Sequence, residues 1–215
     1  MKLLAINGSP RKNWNTAQLL TQITEGANNA GAKTSLVHLL RCGKFTGCIS
    51  CFECKRIGGK SYGRCSVDDG LTPVLDEAHE ADVLVLGTPF YFMQESALMR
   101  SLMERLWFQY YLYSKVKPPL APKKKACALV YTMNIPEEMM DEYGKTPIVK
   151  RAKQIMERLF APCEVLLACD TMQFKDYSLY DTDIFDIPGK QKRHAEVFPE
   201  TLAAAFKLGQ KLVAW

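Results

Sequence analysis

Two groups of residues have types and spacings that suit chemistry. The first is a run of cysteines. Cys48, Cys51 and Cys54 form Cys-x2-Cys-x2-Cys, and Cys65 follows after a ten-residue gap. Thiolates at the tighter spacing reach neighbouring corners of one iron–sulfur cluster. Gly58, Gly59 and Gly63 give the longer gap a flexible connector. Zinc held by four thiolates is a second reading, although structural zinc sites more often split into two pairs. Retained, partly buried thiols without metal are a third. The other group is Asn7-Gly8-Ser9-Pro10-Arg11-Lys12-Asn13-Trp14-Asn15-Thr16, which ends in a helical pattern. Its hydroxyls, amides and guanidinium, with the free N–H groups of a helix N-terminus, suit a phosphate. It lacks the Gly-Lys-Ser/Thr of a P-loop and the glycines of a dinucleotide fingerprint. The plain alternative is a capped turn, with Asn15 or Thr16 as N-cap.

Other familiar chemistry is missing. His38, His79 and His194 stand apart in the sequence and form no Ser-His-Asp set, and no paired carboxylates suggest hydrolysis. Each histidine reads as structural. Cys127, Cys163 and Cys169 sit in apolar runs and read as small buried hydrophobes, and Cys42 is undecided.

The elements that must hold these residues are legible as apolar patterns. Residues 3–6, 83–86, 127–131 and 165–169 read as strands buried on both faces. Residues 35–40 alternate polar and apolar, as an edge strand does. Leu19, Leu20, Ile23, Ala27 and Ala30 recur at helical spacing, as do Leu98, Met99, Leu102, Met103 and Leu106. Thr72-Pro73 and Thr146-Pro147 read as helix starts, with Thr as N-cap. A last helix is expected from about Pro199 to Val213. Alternating strands and helices give an α/β fold with a parallel sheet covered on both faces. Five strands suggest the flavodoxin-like, doubly wound five-stranded sheet. Residues 1–215 read as one such domain, with a cysteine-rich insertion at about 42–70. Two further segments stand outside the minimal pattern: residues 107–122, whose five large aromatics are more than a monomer normally exposes and suggest a face covered by a second subunit, and residues 171–195, which show no clear periodicity.

In such a sheet, ligands bind beyond the carboxyl ends of the central strands. The third strand is followed by Gly87-Thr88-Pro89-Phe90-Tyr91-Phe92-Met93-Gln94-Glu95-Ser96, whose aromatics suit the wall of a flat ring. Ordinary packing of Phe90 and Phe92 is the alternative. The fourth is followed by Thr132, Met133 and Asn134, whose hydroxyl and amide suit the ring's polar edge. Together the loops describe a crevice with a phosphate end and an aromatic end, the shape of a flavin mononucleotide (FMN) site.

The stretches NGSPRKNWNT and GTPFYFMQESALMRSLMERL and the cysteine-rich connection resemble NAD(P)H-dependent flavin reductases. They are particularly similar to the iron–sulfur flavoproteins and their cluster-free relatives, over residues 1–135. The resemblance implies that Ser9, Arg11, Asn15 and Thr16 hold the FMN phosphate. It likewise implies that Pro89, Phe90, Tyr91 and Phe92 line the isoalloxazine ring, and that a neighbouring subunit of a homodimer or homotetramer helps cover it. A lid from the same chain, built from residues 171–195, is the alternative. Met93 and Glu104-Arg105 depart from the family pattern, which has a small residue and Asp-Arg there.

Composition bounds the rest. The chain has 215 residues, about 1.4 typical domains, with 47% hydrophobic and 24% charged residues. These are globular proportions. Its net charge of +5 falls short of a nucleic-acid footprint, and Lys123, Lys124 and Lys125 read as a solvated strand entrance. No apolar run approaches the roughly 18 residues of a membrane span. The apolar stretch before Gly8 is too short for a signal peptide, so a cytoplasmic location is expected. The leading reading is an FMN-dependent oxidoreductase that accepts hydride from NAD(P)H. It would pass electrons to a flavin, a quinone, an aromatic acceptor, a protein or a 4Fe-4S cluster. An FMN electron carrier reduced by a protein partner is the alternative, and a metal-binding regulatory module without flavin is the third.

Overall fold

The computed structural model describes residues 1–215. The elements run β1 (Lys2–Asn7), α1 (Asn15–Asn29), β2 (Lys33–His38), α2 (Thr72–Glu80), β3 (Val83–Tyr91) and β4 (Gln94–Glu95). There follow α3 (Ala97–Tyr110), β5 (Ala126–Thr132), α4 (Lys145–Leu159), β6 (Cys163–Ala168), α5 (Ile187–Glu196) and α6 (Phe198–Val213). Five strands pair in parallel in the order β2-β1-β3-β5-β6, and β4 hairpins back onto β3. This is the flavodoxin-like order, with its switch point between β1 and β3. No helix is long and apolar enough to cross a membrane.

Both faces of the central strands are buried, which is why they read as continuous apolar runs. Alternate residues sort by face. Leu4, Ile6, Leu84, Leu86, Leu129 and Tyr131 join one core cluster with residues of α2, α3 and α4. Leu3, Ala5, Val83, Val85, Ala128 and Val130 join the other, with residues of α1 and α6. Helices α1 and α6 approach backbone to backbone: a Cβ at Gly26 would collide with the carbonyl of Phe206, and one at Gly209 with that of Ile23. Glycine is required at both positions by space.

Several local expectations change. The edge strand ends at His38, and Leu39–Arg41 turn into a 3-10 helix. Neither Thr-Pro start uses its threonine as N-cap. Before α2, Asp69 accepts from the Leu71 N–H at 2.9 Å, while the Thr72 hydroxyl accepts from Asp69 and donates to the Val67 carbonyl. Before α4, Gly144 takes the left-handed conformation (φ 62°). Residues 171–195, read as aperiodic, hold all but the last residue of α5. Asp186 caps it by accepting from Gly189, and Pro188 sits in the first turn.

Lys125 is buried rather than solvated. Its ammonium donates to the carbonyls of Ala78 and His79, at 2.6 and 3.2 Å, where α2 ends. Burial lowers its pKa to about 8. The aromatic segment also differs from expectation. Trp107 and Tyr110 are buried, and of its five aromatics only Tyr113 is exposed. The segment therefore offers no broad aromatic face to a second subunit. The histidines are structural: His38 pairs with Asn7, His79 with the Tyr110 hydroxyl, and His194 stacks on Phe198.

Candidate functional site

A cleft of about 300 Å³ opens at the carboxyl ends of β1, β3 and β5. Its lining contains Ser9, Arg11, Asn15, Thr16, Pro89, Phe90, Tyr91, Thr132, Met133 and Asn134. Ten of the eleven residues expected there are brought together. Phe92 is the exception, fully exposed at the tip of the β3–β4 hairpin. Phe92 and Met93 have φ values of 46° and 64°, the paired positive angles of a tight hairpin turn, and this turn carries both away from the cleft.

The β1–α1 loop is held from several sides. The Ser9 N–H donates to Asn7 Oδ1 at 2.9 Å and the Arg11 N–H to Ser9 Oγ at 3.1 Å. Ser96 Oγ donates to the Gly8 carbonyl at 2.7 Å. Helix α1 begins at Asn15 with no side-chain cap, so neither Asn15 nor Thr16 is an N-cap. Their backbone N–H groups instead belong to the first turn, which has no intrahelical acceptors. The Thr16 and Thr132 hydroxyls meet at 2.8 Å across the cleft floor. Phe90 stacks on Tyr131, with ring centroids 4.8 Å apart and an interplanar angle of 12°, and Tyr91 stands half exposed at the rim.

A fourth wall comes from the start of residues 171–195, the segment that offered a lid from the same chain. Thr171, Met172, Gln173 and Phe174, which follow β6, line the cleft with Trp14. Trp14 Nε1 and Asn15 Nδ2 both donate to the Met172 carbonyl, at 3.1 and 2.9 Å, and Arg11 Nη1 donates to the Gln173 carbonyl at 2.6 Å. Buried Lys190 of α5 binds both the Asn134 carbonyl and Asp170, tying this wall to the β5 loop. Arg11 is the only charged residue of the lining, and no acid faces the cleft. Together with the uncapped helix end, this makes the β1–α1 end of the cleft electropositive.

The four cysteines also converge on one pocket, against α3, with Phe52, Phe108, Arg105 and Gln109. The left-handed turns at Ser50 and Phe52 (φ 55° and 60°) lie between successive cysteines. Cys54 is buried, Cys48 and Cys65 are half-buried, and Cys51 is exposed. A hydrogen bond with Ser66 holds the Cys51 thiol below the usual range, whereas burial pushes Cys54 up. Arg105 Nε donates to Cys65 Sγ at 3.3 Å. No three cysteine, histidine or carboxylate side chains gather closely enough in this structure to hold a single metal ion. The donor set is sulfur-rich and surrounded by hydrogen-bond donors.

Fold and cleft together define a doubly wound α/β protein whose cleft has an electropositive end and an aromatic end. The model of the NADPH-dependent FMN reductase family matches residues 1–134, and the chain belongs to that family. It is 38% identical over 105 residues to an iron–sulfur flavoprotein of Archaeoglobus fulgidus, covering 49% of this chain and 48% of the relative. It is 33% identical over 105 residues to one of Methanocaldococcus jannaschii, covering 49% and 51%. The matched region spans about half the length of these curated relatives. The fold is similar to that of the NAD(P)H:quinone oxidoreductase from Methanothermobacter marburgensis, with TM-score 0.69 and 14% identity over 99% of this chain and 98% of that one. It is also similar to an FMN-dependent NADH-azoreductase from Bacillus anthracis in complex with FMN, with TM-score 0.62 and 13% identity over 97% and 99%. Likeness at these identities speaks to the fold alone.

Proposed function

We propose that the chain is an FMN-dependent oxidoreductase that takes hydride from NAD(P)H and passes electrons to a small-molecule or protein acceptor. The observation that carries this reading is the acid-free cleft with an uncapped helix N-terminus at one end and the Phe90–Tyr91 aromatic wall at the other. FMN, when bound, supplies a ring that accepts hydride and releases electrons one or two at a time. The protein's part is orientation. The first-turn N–H groups of α1 at Asn15 and Thr16, with the side chains of Ser9, Arg11 and Thr16, hold the phosphate. Pro89 to Tyr91 and Met133 flank the ring, and Asn134 and Thr132 offer hydrogen bonds to its polar edge. No acid or base is assigned. Family membership and the iron–sulfur naming of the relatives support the same reading. Family likeness and the exposed hairpin tip beside the cleft support a homodimer or homotetramer in which a second copy covers Tyr91 and Phe92. Eight free cysteines suit a reducing compartment such as the cytoplasm.

Cys48, Cys51, Cys54 and Cys65 are assigned as ligands of a 4Fe-4S cluster, which would carry single electrons between the flavin and a partner. A cluster binds each thiolate at a separate iron and so spaces them more widely than one ion does. The flanking donors fit such an anionic group. The carrier alternative shares both cofactors and differs only in the source of electrons.

Arg11→Ala tests the phosphate assignment. A guanidinium–phosphate bond is charge-assisted, and its loss is expected to weaken FMN binding about 10- to 100-fold. Riboflavin, which lacks the phosphate, is expected to bind almost unchanged. Arg11 also binds the Gln173 carbonyl, so equal losses for both ligands would make it a support of the fourth wall instead. Fluorescence titration with each ligand decides.

A further inference from the structure

One buried donor in the cysteine pocket has no use in the folded chain. Gln109, on α3, is 2% exposed. Its Oε1 accepts from the Cys65 N–H at 3.0 Å, while its Nε2 has no partner. The orientation of the amide is fixed by chemistry, because a backbone N–H requires the oxygen and not the nitrogen. The NH2 group is therefore held, dehydrated, in a pocket lined by all four cysteines. Burying such a donor unpaired is costly, and polar groups left this way call for an explanation. Arg105, one helical turn earlier on α3, already donates from Nε to Cys65 Sγ.

We propose that Gln109 and Arg105 are the donors that set the electron affinity of the group held by the four cysteines, with Gln109 Nε2 donating to one of its sulfurs. This rests on the assignment of those cysteines as cluster ligands. Reduction adds one electron, and with it negative charge on the sulfurs. A hydrogen bond to sulfur strengthens as that charge grows, so it favours the reduced form. Both donors come from α3, whose Met99, Leu102, Met103, Leu106 and Tyr110 pack in the main core. They are therefore held in place before the electron arrives.

The test compares the holoprotein with Gln109→Met and Gln109→Glu after anaerobic loading with iron and sulfide. Each is titrated with dithionite against redox mediators, with cluster and flavin followed by absorbance and electron paramagnetic resonance. Gln109→Met is expected to retain iron and FMN and to disfavour the reduced cluster about tenfold, a shift of about 59 mV to lower potential for one electron. The flavin potential is expected to stay unchanged. Gln109→Glu keeps the acceptor for the Cys65 N–H and replaces the donor with a negative charge, so a larger shift in the same direction is expected. A loaded Gln109→Met protein with an unaltered cluster potential overturns the proposal, because Gln109 then only positions Cys65. Loss of iron from both variants, with wild type loaded, also overturns it and leaves the cluster assignment standing. Wild type that takes up no iron and sulfide overturns the cluster assignment, and the proposal with it.

Discussion

Replacing Arg105 by leucine is expected to cost about 3–5 kcal/mol of stability, the scale for removing one partner of a buried ion pair. The guanidinium is 1% exposed. It meets both carboxylate oxygens of Asp69, at 2.6 and 2.7 Å, and donates to the Val67 carbonyl at 2.8 Å. Asp69 in turn accepts from the N–H groups of Leu71 and Thr46. One side chain thus fastens both ends of the cysteine-bearing segment to α3. The loss would be a large fraction of a domain's usual 5–15 kcal/mol. Urea denaturation of the reduced protein measures it, and limited proteolysis should show cleavage moving into residues 42–70. A loss below about 1 kcal/mol would mean that Asp69 resolvates freely and that the segment is held by packing alone.

Stability is also expected to fall steeply above pH 9. Burial raises Cys163 to about 12, Cys169 to about 11, and Cys127 well above the ordinary thiol value of 9.0. Groups with raised folded-state pKa contribute stability that is complete below the unfolded pKa and lost as pH rises beyond it. Lys125 works in the opposite sense. Its folded pKa of about 8 lies below the unfolded 10.5, so its burial cost is relieved between those values. Between about pH 9.5 and 10.5 three retained thiol protons oppose one lost ammonium proton. Among these four groups the retained thiol protons outnumber the lost one, so stability falls by on the order of 1–3 kcal/mol per pH unit. Denaturant midpoints from pH 8 to 10.5 under strong reductant report this. A midpoint that stays level or rises would contradict the burial assigned to those thiols.

The parts of the fold legible in the sequence are those whose signals are periodic. The central strands were evident because both faces are buried, and the doubly wound order followed from alternation with helices. The three loops beyond β1, β3 and β5 converge as expected, since topology alone brings those strand ends together. The fourth wall at Thr171 to Phe174 was legible only as part of a segment, 171–195, able to form a lid, and not as particular contacts. Its contribution is mostly backbone carbonyls, which accept from Arg11, Trp14 and Asn15, and carbonyls leave no mark in residue types. Helix α5 was hidden by its short, polar character, although Asp186 followed by Pro188 is a start signal of the same kind as the Thr-Pro pairs. Lys125 read as solvated because a lysine run is usually a wet surface; its burial depends on the two carbonyls where α2 ends. The aromatics of residues 107–122 looked like an exposed face because sequence spacing does not show that Trp107 and Tyr110 turn into the core.

The central claim is tested most directly by mixing FMN-loaded protein anaerobically with NADH and, separately, with NADPH in a stopped-flow spectrometer while following the flavin absorbance. An oxidoreductase of the proposed kind loses that absorbance within seconds with at least one of the two nucleotides. Flavin that stays oxidised with both, yet is bleached by dithionite, would contradict the hydride-accepting reading and leave an electron carrier served by a protein partner.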